Sequence, residues 1–262
     1  MTSATRDPAI SISVVSHAQG RIVEGLLADL CRHVSQPVEV LLTLNVPERL
    51  PFGARDYPFP LHIVENSAPK GFGANHNAAF GRARGELFCV LNPDIRLDMD
   101  PFAALRARID ADASLALCAP LIVTPAGAPE DSVRRFPTPW FILQKALGVA
   151  PNFDYPLTGD AIYPDWVAGM FILCRRAAFQ ALGGFDERYF MYYEDVDFCA
   201  RAKLAGLRLA VFPGVRAIHD ARRASRSSLR HLRWHLAGML RFFLSAPAAR
   251  LAWRGLTGSV ER

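Results

Sequence analysis

The sequence predicts an α/β protein with a mostly parallel, Rossmann-like sheet flanked by helices. Over residues 10–123, short apolar segments alternate with stretches that have helical apolar spacing. This alternation is typical of strand–helix–strand units whose strands run parallel in a doubly wound sheet. The chain has 262 residues, of which 51% are hydrophobic, which suffices for the core of one large α/β domain or two small ones.

Each element of the first half follows from its own local pattern. The helix over 22–31 has apolar residues at 22, 23, 26, 27 and 30, which is helical spacing. Pro101 opens a later helix, because proline fits the first helical turn. The predicted strands are 10–15, 38–44, 61–64, 87–91 and 115–123, and the predicted helices are 22–31, 75–84 and 101–110.

The second half is less regular. Residues 124–165 are rich in proline and show no clean period, so we expect an irregular, partly mobile insertion. Regular structure is predicted to return as a strand over 166–174, a helix over 175–182, a segment at 189–201 that leads into a helix, and a strand over 207–212. The main domain is therefore predicted to span residues 1–220.

The positive charge is concentrated at the end of the chain. The net charge is +5, but residues 221–262 carry nine Arg and one acid, Glu261, which makes +8 there and leaves −3 in residues 1–220. A helical apolar stripe over 225–244 accompanies the arginines. Such a basic amphipathic segment suits the surface of an anionic membrane, and it equally suits packing on the main domain. Nucleic acid is not the expected partner, because the main domain is net acidic and has no recognisable base-stacking module.

The cysteines and the first residues indicate a cytoplasmic protein. The five cysteines are widely spaced and form no Cys-x-x-Cys pair, which predicts reduced thiols and neither disulfides nor a zinc site. Residues 1–8 lack the basic and apolar regions of a signal peptide. The sequence contains no uninterrupted run of about 18 apolar residues, so a membrane span is not expected.

Polar residues follow the predicted strands at the edge where a doubly wound sheet binds its ligands. Asn92-Pro93-Asp94 is either a divalent-cation site, with Asp94 as a hard oxygen ligand, or a turn. His219, beyond the strand at 207–212, is either a metal ligand or a surface loop residue. The candidate site edges are Ser16-His17, Leu44-Asn45, Glu65-Asn66 and Asn92–Asp94.

The glycine-rich segment 71–77 also has two interpretations. Its glycines allow a backbone to approach a ligand closely, with Asn77 supplying an amide, or they form a turn before a helix that begins near Asn75. The segment is not a dinucleotide-binding fingerprint, because the third glycine of that pattern falls at His76.

Three carboxylates, Glu194, Asp195 and Asp197, directly follow the aromatic segment 189–193. Acids at a helix start suit the helix dipole, and Asp197 with Arg201 makes an i,i+4 pair. Beside so much apolar surface, however, a carboxylate is expected in a cleft with a shifted pKa. Asp195 is therefore a candidate general base.

Taken together, these motifs resemble the family 2 inverting glycosyltransferases, in particular their bacterial rhamnosyltransferase-like branch. The resemblance spans about residues 10–220, and its strength lies in the shared order and spacing of the blocks. The matching blocks are Val14–His17, Glu65-Asn66 with Gly71–Asn77, Leu91–Asp94, Trp166–Gly169, Gly183–Asp186, Tyr192–Asp197 with Arg201, and His219.

The resemblance implies an A-type glycosyltransferase fold that binds a nucleotide-diphosphate sugar, dTDP- or UDP-linked, together with Mg²⁺ or Mn²⁺. It implies that Asp195 is the catalytic base and that Asp94 and His219 hold the metal. Residues 10–123 become the nucleotide-sugar half, and residues 166–220 become the acceptor half. The implied donor-binding residues are Ser16, His17, Asn45, Asn66, Gly71, Phe72, Gly73, Asn77, Asn92 and Asp94, and the implied acceptor-binding residues are Trp166, Gly169, Tyr192, Tyr193 and Glu194.

The implied activity is transfer of rhamnose or a similar hexose to a glycan or lipid-linked acceptor in bacterial cell-surface polysaccharide synthesis. The place of action is the cytoplasm or the inner face of the cell membrane. One departure from the family is Leu44, which stands where an Asp usually contacts the pyrimidine base, with Asn45 as the candidate substitute. This departure supports an alternative hypothesis, a catalytically silent nucleotide-sugar-binding or scaffold protein of the same fold.

Overall fold

The computed structural model describes residues 8–149, 151–220 and 229–256, and it contains ten strands and eight helices there. The strands are β1 (Ile10–Ser16), β2 (Val38–Leu44), β3 (Leu61–Glu65), β4 (Leu87–Leu91), β5 (Ile95–Arg96), β6 (Leu115–Val123), β7 (Val133–Arg134), β8 (Trp166–Val167), β9 (Phe171–Arg175) and β10 (Arg208–His219). The helices are α1 (Gly20–His33), α2 (Phe72–Phe80), α3 (Pro101–Ala111), α4 (Pro139–Ala146), α5 (Arg176–Ala181), α6 (Glu194–Leu204), α7 (Leu229–Phe243) and α8 (Ala246–Leu256).

The main sheet has eight strands in the order β3-β2-β1-β4-β9-β6-β10-β5. The first four strands of this order run parallel, as the strand–helix alternation predicts. Strand β9 lies antiparallel between β4 and β6, so the second half of the chain contributes a central strand to the sheet of the first half. Beyond it, β10 pairs in parallel with β6, and the short β5 pairs antiparallel with β10.

Several predicted boundaries are wrong. The strand predicted over 207–212 continues to His219 as β10, and the helix predicted to end at residue 84 ends at Phe80. The strand predicted over 166–174 is two strands, because a turn at 168–170 separates β8 from β9. The helix predicted to begin near Asn75 begins at Phe72, and the Asn75 N–H already bonds to the Gly71 carbonyl at 3.1 Å. The insertion at 124–165 is not irregular throughout, since it contains β7, which pairs with β8, and the helix α4.

The core covers both faces of the main sheet. Strands β2, β4 and β6 are buried along their whole length, which explains why their sequences are apolar apart from Glu39 and Thr43 in β2. Helix α1 lays one apolar stripe on the sheet, and this confirms the spacing that predicted it. The stripe consists of Val23, Leu26, Leu27 and Leu30, all nearly inaccessible to solvent.

The C-terminal helices α7 and α8 lie against α6. Helix α7 buries Gly238 and Phe242, whereas the leucines of the predicted stripe face solvent. Of the other stripe residues, Met239 packs against the core, so α7 both packs on the main domain and leaves its leucines exposed, and residues 225–228 lie outside the described part of the chain. None of the helices in the described ranges combines the length and the apolar character needed to cross a bilayer.

Candidate active site

The carboxyl edge of the sheet brings Asp94 and His219 together. Asp94 lies in the turn between β4 and β5, and His219 is the last residue of β10. The antiparallel pairing of β5 with β10 places Ile95 opposite His219. The Asp220 N–H extends this pairing by donating to the Asp94 carbonyl at 2.9 Å. As a result, the His219 Nε2 lies 3.3 Å from the Asp94 Oδ2, although the two residues are distant in sequence.

A third side chain, Glu130, completes this group, and the sequence did not identify it. Its Oε2 lies 2.8 Å from the His219 Nδ1, so the imidazole ring lies between two carboxylates. Burial disfavours the charged ring, but the hydrogen bonds to Asp94 and Glu130 and their negative charges outweigh burial and raise the pKa of His219 to about 9. The available signal for Glu130 was its place shortly after β6, at the carboxyl edge of the sheet.

The chemistry of this group suits a hard divalent cation that is coordinated partly by these side chains and partly by the oxygens of a diphosphate. The Asp94 Oδ1 is buried and has no hydrogen-bond partner among the described residues. One carboxylate and one imidazole are a sparse ligand set, and within the described ranges no three His, Cys, Asp or Glu side chains are placed to hold a metal by themselves. Such sparseness is usual for Mg²⁺ bound through one or two carboxylates and substrate phosphates. Glu130 orients the ring of His219 from behind, as carboxylates commonly do for metal-binding histidines.

Asp195 is held by backbone donors at the start of α6. Its Oδ2 accepts a hydrogen bond from the Gly169 N–H at 3.0 Å, and its Oδ1 accepts one from the Val196 N–H at 2.9 Å. Burial raises the pKa of Asp195, while these donors and the positive charge of Arg134 act in the opposite direction. The carboxylate is therefore fixed in orientation and is more basic than an exposed aspartate.

A short turn at 168–170 connects Asp195 to the loop after β4. The Gly169 N–H donates to Asp195, and the Met170 carbonyl accepts from the Asn92 N–H at 2.9 Å. Sequence-predicted residues from both halves of the chain thus meet at this turn.

Glu194 and the two tyrosines before it form an unusual start to a helix. Tyr192 and Tyr193 have φ values of 71° and 70°, in the left-handed region that costs a bulky residue about 1–2 kcal/mol. Glu194 is only 5% exposed, and its Oε2 has no hydrogen-bond partner in the part of the chain that is described. Burial, reinforced by the charge of Asp195, raises the pKa of Glu194 well above its usual range. A neutral Glu194 leaves Asp195 as the charged member of this pair.

Asn45 and Asn66 belong to an amide network beside the end of β2. The Asn45 Oδ1 accepts hydrogen bonds from the Asn66 Nδ2 at 2.9 Å and from the Lys70 N–H at 2.8 Å. The Asn45 Nδ2 donates to the Lys70 carbonyl at 3.0 Å, and the Asn66 Nδ2 donates to the Asn75 Oδ1 at 2.7 Å. Because these bonds occupy most of its amide, Asn45 shapes the turn at Lys70.

At the end of β1, Ser16 is paired with Glu48, an acid that no sequence motif marks. Glu48 accepts hydrogen bonds from the Ser16 hydroxyl and from the Gly20 N–H, the latter at 2.8 Å. Ser16 lies opposite Leu44 in the sheet, and His17 is exposed at the strand end. Glu48 therefore supplies a carboxylate near the position where Leu44 provides none.

Three residues of the Gly71–Asn77 segment contact the segment 185–190. A Cβ at Gly71 would lie 2.6 Å from the Phe190 carbonyl oxygen, and one at Gly73 would lie 2.6 Å from the Phe185 Cβ. The Asn77 Nδ2 donates to the Phe185 carbonyl, and its Oδ1 accepts from the Phe185 N–H, both at 2.9 Å. These contacts fasten α2 to the segment that precedes α6, and Gly71 and Asn77 also line a pocket there.

The predicted acceptor-side aromatic residues are largely engaged with protein. Trp166 is 9% exposed, and its indole N–H donates to a backbone carbonyl at 2.8 Å. Tyr193 is buried, and the Tyr192 hydroxyl lies 2.9 Å from the His231 Nδ1. The half-buried ring of Phe72 packs on Gly169. A Cβ added at Gly169 would lie 3.2 Å from the Phe72 Cζ.

The pair of Asp197 and Arg201 forms as predicted. The Arg201 Nε donates to the Asp197 Oδ2 at 2.7 Å, and the guanidinium also donates to the carbonyls of Leu182 and Gly184. These bonds tie α6 to the loop after α5, so Asp197 has a structural role.

Known proteins resemble the chain in sequence and in fold. No family model matches the chain. The chain is 36% identical over 188 residues to the rhamnosyltransferase WbbL of Escherichia coli K12, an alignment that covers 66% of the chain and 69% of WbbL. It is 28% identical over 257 residues to the N-acetylglucosaminyl-diphospho-decaprenol L-rhamnosyltransferase of Mycobacterium tuberculosis H37Rv, covering 86% of the chain and 81% of that protein.

Solved structures share the fold at low sequence identity. GalNAc-T7 with UDP, GalNAc and Mn²⁺ matches 91% of the chain with a TM-score of 0.67 and 16% identity. The mannosyltransferase PcManGT of Pyrobaculum calidifontis, in complex with GDP-Man and Mn²⁺, matches 90% with a TM-score of 0.58 and 16% identity. The chain spans 48% of the length of the first structure and 65% of the second. The sheet and its flanking helices are therefore those of an A-type glycosyltransferase. With its relationship to WbbL, the chain belongs to the rhamnosyltransferase-like branch of the family 2 glycosyltransferases, enzymes that transfer sugars in glycan biosynthesis.

Proposed function

We propose that the protein catalyses metal-dependent, inverting transfer of rhamnose or a similar hexose from a dTDP- or UDP-linked donor to a glycan or lipid-linked acceptor. The observation that carries this proposal is the turn at 168–170, which bonds to Asp195 on one side and to the Asn92 loop on the other. On one side the turn bonds to the half-buried carboxylate of Asp195, and on the other it bonds to Asn92, two residues before Asp94. A base and a site for diphosphate charge are the two parts that glycosyl transfer requires.

Asp94 would hold Mg²⁺ or Mn²⁺ together with the donor diphosphate and with His219, whose ring would first release the proton that its raised pKa holds. A divalent cation held there would neutralise the charge that develops on the departing diphosphate. Glu130 keeps the imidazole oriented through its Nδ1, so that its Nε2 faces Asp94. The Mn²⁺ in the two structural relatives supports a divalent cation in this fold.

Asp195 acts as the general base in this mechanism. As the acceptor oxygen bonds to the anomeric carbon, the bond from that carbon to the diphosphate oxygen breaks, and the hydroxyl proton passes to Asp195. Attack from the face opposite the diphosphate inverts the anomeric centre. The N–H groups of Gly169 and Val196 hold the carboxylate in one orientation, and burial makes it a stronger base. A base of this kind contributes roughly 10²–10⁴-fold to the rate.

A relative supports the choice of acceptor class. The relative from Mycobacterium tuberculosis carries N-acetylglucosaminyl-diphospho-decaprenol in its name, which is a lipid-linked sugar diphosphate. We extend this class of acceptor to the present chain. The reaction then belongs to bacterial cell-surface polysaccharide synthesis, such as that of lipopolysaccharide, and takes place in the cytoplasm, peripherally on the inner face of the cell membrane.

Product analysis tests the proposal. The full-length protein is incubated with dTDP-rhamnose or UDP-hexoses, Mn²⁺ and an N-acetylglucosaminyl-diphospho-lipid, and the product is examined by NMR. We expect a glycoside with the anomeric configuration opposite to that of the donor, and no product in EDTA until Mn²⁺ is restored. Retained configuration would contradict the inverting mechanism, and full activity in EDTA would contradict the metal requirement. Donor binding without any transfer would favour the silent scaffold.

A further inference from the structure

Helix α7 holds the segment that leads into α6 with what we call its inner face, His231, Trp234 and Gly238. The His231 Nδ1 lies 2.9 Å from the Tyr192 hydroxyl, and the Trp234 ring centroid lies 4.8 Å from that of Phe190. Gly238 comes so close that a Cβ there would lie 2.6 Å from the Tyr192 carbonyl oxygen. The inner face is therefore closely fitted to the residues directly before Glu194 and Asp195.

The opposite side of α7 carries an exposed apolar row, here called the outer row. Its members recur at intervals of three, four and four residues, which places them on one side of a helix. Gly238 and Phe242 are buried against the protein, so the outer row on the opposite side of the helix faces solvent. Four neighbouring leucines that are 48–79% exposed form a continuous apolar surface of the kind that marks an interaction site. The outer row consists of Leu229, Leu232, Leu236 and Leu240.

Charge indicates which partner this surface fits. Residues 229–256 contain five Arg and no Asp or Glu. Arg230, Arg233 and Arg241 are exposed on α7, and Trp253 on α8 is 68% exposed. A second copy of the chain would bring these arginines against one another. Anionic lipid headgroups attract arginines, while the acyl layer beneath them accepts leucine side chains.

We infer that the outer row docks on an anionic membrane surface while the inner face of the same helix holds the turn that presents Asp195. Tyr192 and Tyr193 occupy the left-handed region, an unfavourable conformation that persists only when its surroundings hold it. Helix α7 supplies part of those surroundings through its contacts with Tyr192. One helix thus contacts both the bilayer and the turn before Asp195. Docking of this helix brings a membrane-embedded acceptor to the site. This inference rests on the proposed function in taking the acceptor as lipid-linked.

Vesicle flotation of the full-length protein tests the docking surface. We compare phosphatidylcholine vesicles with and without phosphatidylglycerol, and expect flotation mainly with the anionic lipid. The variant Leu232→Ser/Leu236→Ser/Leu240→Ser removes side chains that are exposed, so it should fold normally, as circular dichroism will show. We expect its partition onto anionic vesicles to fall by at least about tenfold, since each buried leucine contributes appreciably to transfer.

The matched control changes exposed leucines elsewhere. Leu143→Ser/Leu147→Ser alters two leucines that are 47% and 67% exposed in and just after α4. We expect this control to float like the wild type. Equal loss of flotation in the control and the α7 variant would overturn the assignment to α7. The assignment would also be overturned if the α7 variant floated normally but converted a dimer to a monomer in light scattering, because the outer row would then face a second copy.

Hydrogen exchange tests the coupling to the site. We expect anionic vesicles to slow exchange both in α7 and in the backbone of 190–195 in the wild type, and to do neither in the α7 variant. Protection of α7 with no change in 190–195 would overturn the coupling. These measurements use neither donor nor acceptor, so their failure is distinct from failure of the transfer reaction.

Discussion

The two sides of the candidate site are built in different ways. The side with Asp94 and His219 is fixed by strand pairing, since β5 and β10 hydrogen-bond directly around these residues. The side with Asp195 follows two tyrosines in left-handed backbone, which are held by contacts with α7. One side is thus part of the sheet itself, whereas the other depends on tertiary contacts from the end of the chain.

This difference assigns different sensitivities to the two sides. Changes near Asp94 should alter how cation and donor bind but leave the turn at α6 intact. Changes near Tyr192 should alter the position of Asp195 without affecting cation affinity. The turn at 168–170 touches both sides, because it bonds to Asp195 and to Asn92.

The largest expected effect is that of Asp195→Asn. Asparagine keeps an oxygen for the Gly169 N–H but cannot accept the acceptor proton, so kcat should fall by roughly 10²–10⁴-fold. Donor affinity by calorimetry and the melting temperature should stay near those of the wild type. Asp98→Asn, at an exposed position after β5, is the control and should retain activity. A wild-type kcat for Asp195→Asn would show that the base lies elsewhere.

Next in size is Glu130→Gln, which probes the sheet side. A neutral glutamine accepts the hydrogen bond from His219 less strongly than the Glu130 carboxylate does, so it orients the ring less well. We therefore expect the affinity for Mn²⁺ in the presence of a nucleoside diphosphate to fall by about 10–100-fold. Electron paramagnetic resonance of free Mn²⁺ measures this affinity directly. Glu24→Gln, on the exposed side of α1, should leave it unchanged. If both variants bind Mn²⁺ like the wild type, Glu130 has no part in the metal site.

The sequence predicted the sheet side of this comparison better than the other side. Strands β2, β4 and β6 are locally encoded, because predominantly apolar runs between turn signals leave little choice. Asp94 was identifiable because it lies just after a strand, and His219 because it lies beyond the strand predicted over 207–212. Glu130 and Glu48 were missed, since their contacts with His219 and Ser16 are made across long stretches of sequence and carry no local pattern.

The α7 side was harder to predict because one helix serves two surfaces. The leucine spacing correctly indicated a helix, but it could not say which face packs on the protein. The packing face is made of His231, Trp234 and Gly238, which do not form an apolar stripe in the sequence. Likewise, the antiparallel insertion of β9 between β4 and β6 is a tertiary choice that local periodicity does not encode.

A smaller effect is expected for Gly238→Ala, which tests the tertiary side. Alanine usually stabilises a helix interior by up to about 1 kcal/mol relative to glycine. At position 238 its methyl group would lie 2.6 Å from the Tyr192 carbonyl oxygen, so we expect a net loss of about 1–3 kcal/mol in unfolding free energy and a lower kcat. Gly255→Ala is the matched control in α8, where a Cβ meets no atom of the described chain within 4 Å. Urea denaturation measures both, and equal stabilisation of both variants would show that α7 does not clamp the turn.

The smallest effect concerns the buried carboxyl of Glu194 and its dependence on pH. Burial and the charge of Asp195 raise the pKa of Glu194, so the folded protein binds this proton more tightly than the unfolded chain does. Glu194 therefore contributes stability that is present at low pH and is lost as the pH rises through the folded-state pKa. Glutamine imitates the neutral acid and removes this dependence.

We expect Glu194→Gln to match the wild type below about pH 4, where the carboxyl is protonated in both folded and unfolded chains, and to become more stable than the wild type as the pH rises. Melting temperatures across this range measure the difference, with Glu24→Gln as a variant that should follow the wild type throughout. A difference between Glu194→Gln and the wild type that stays constant with pH would mean that the side chain acts through its shape alone. A difference that grows with pH would instead show that the protonated carboxyl of Glu194 is buried beside Asp195. Such a pH-dependent cost belongs to the Asp195 side of the site.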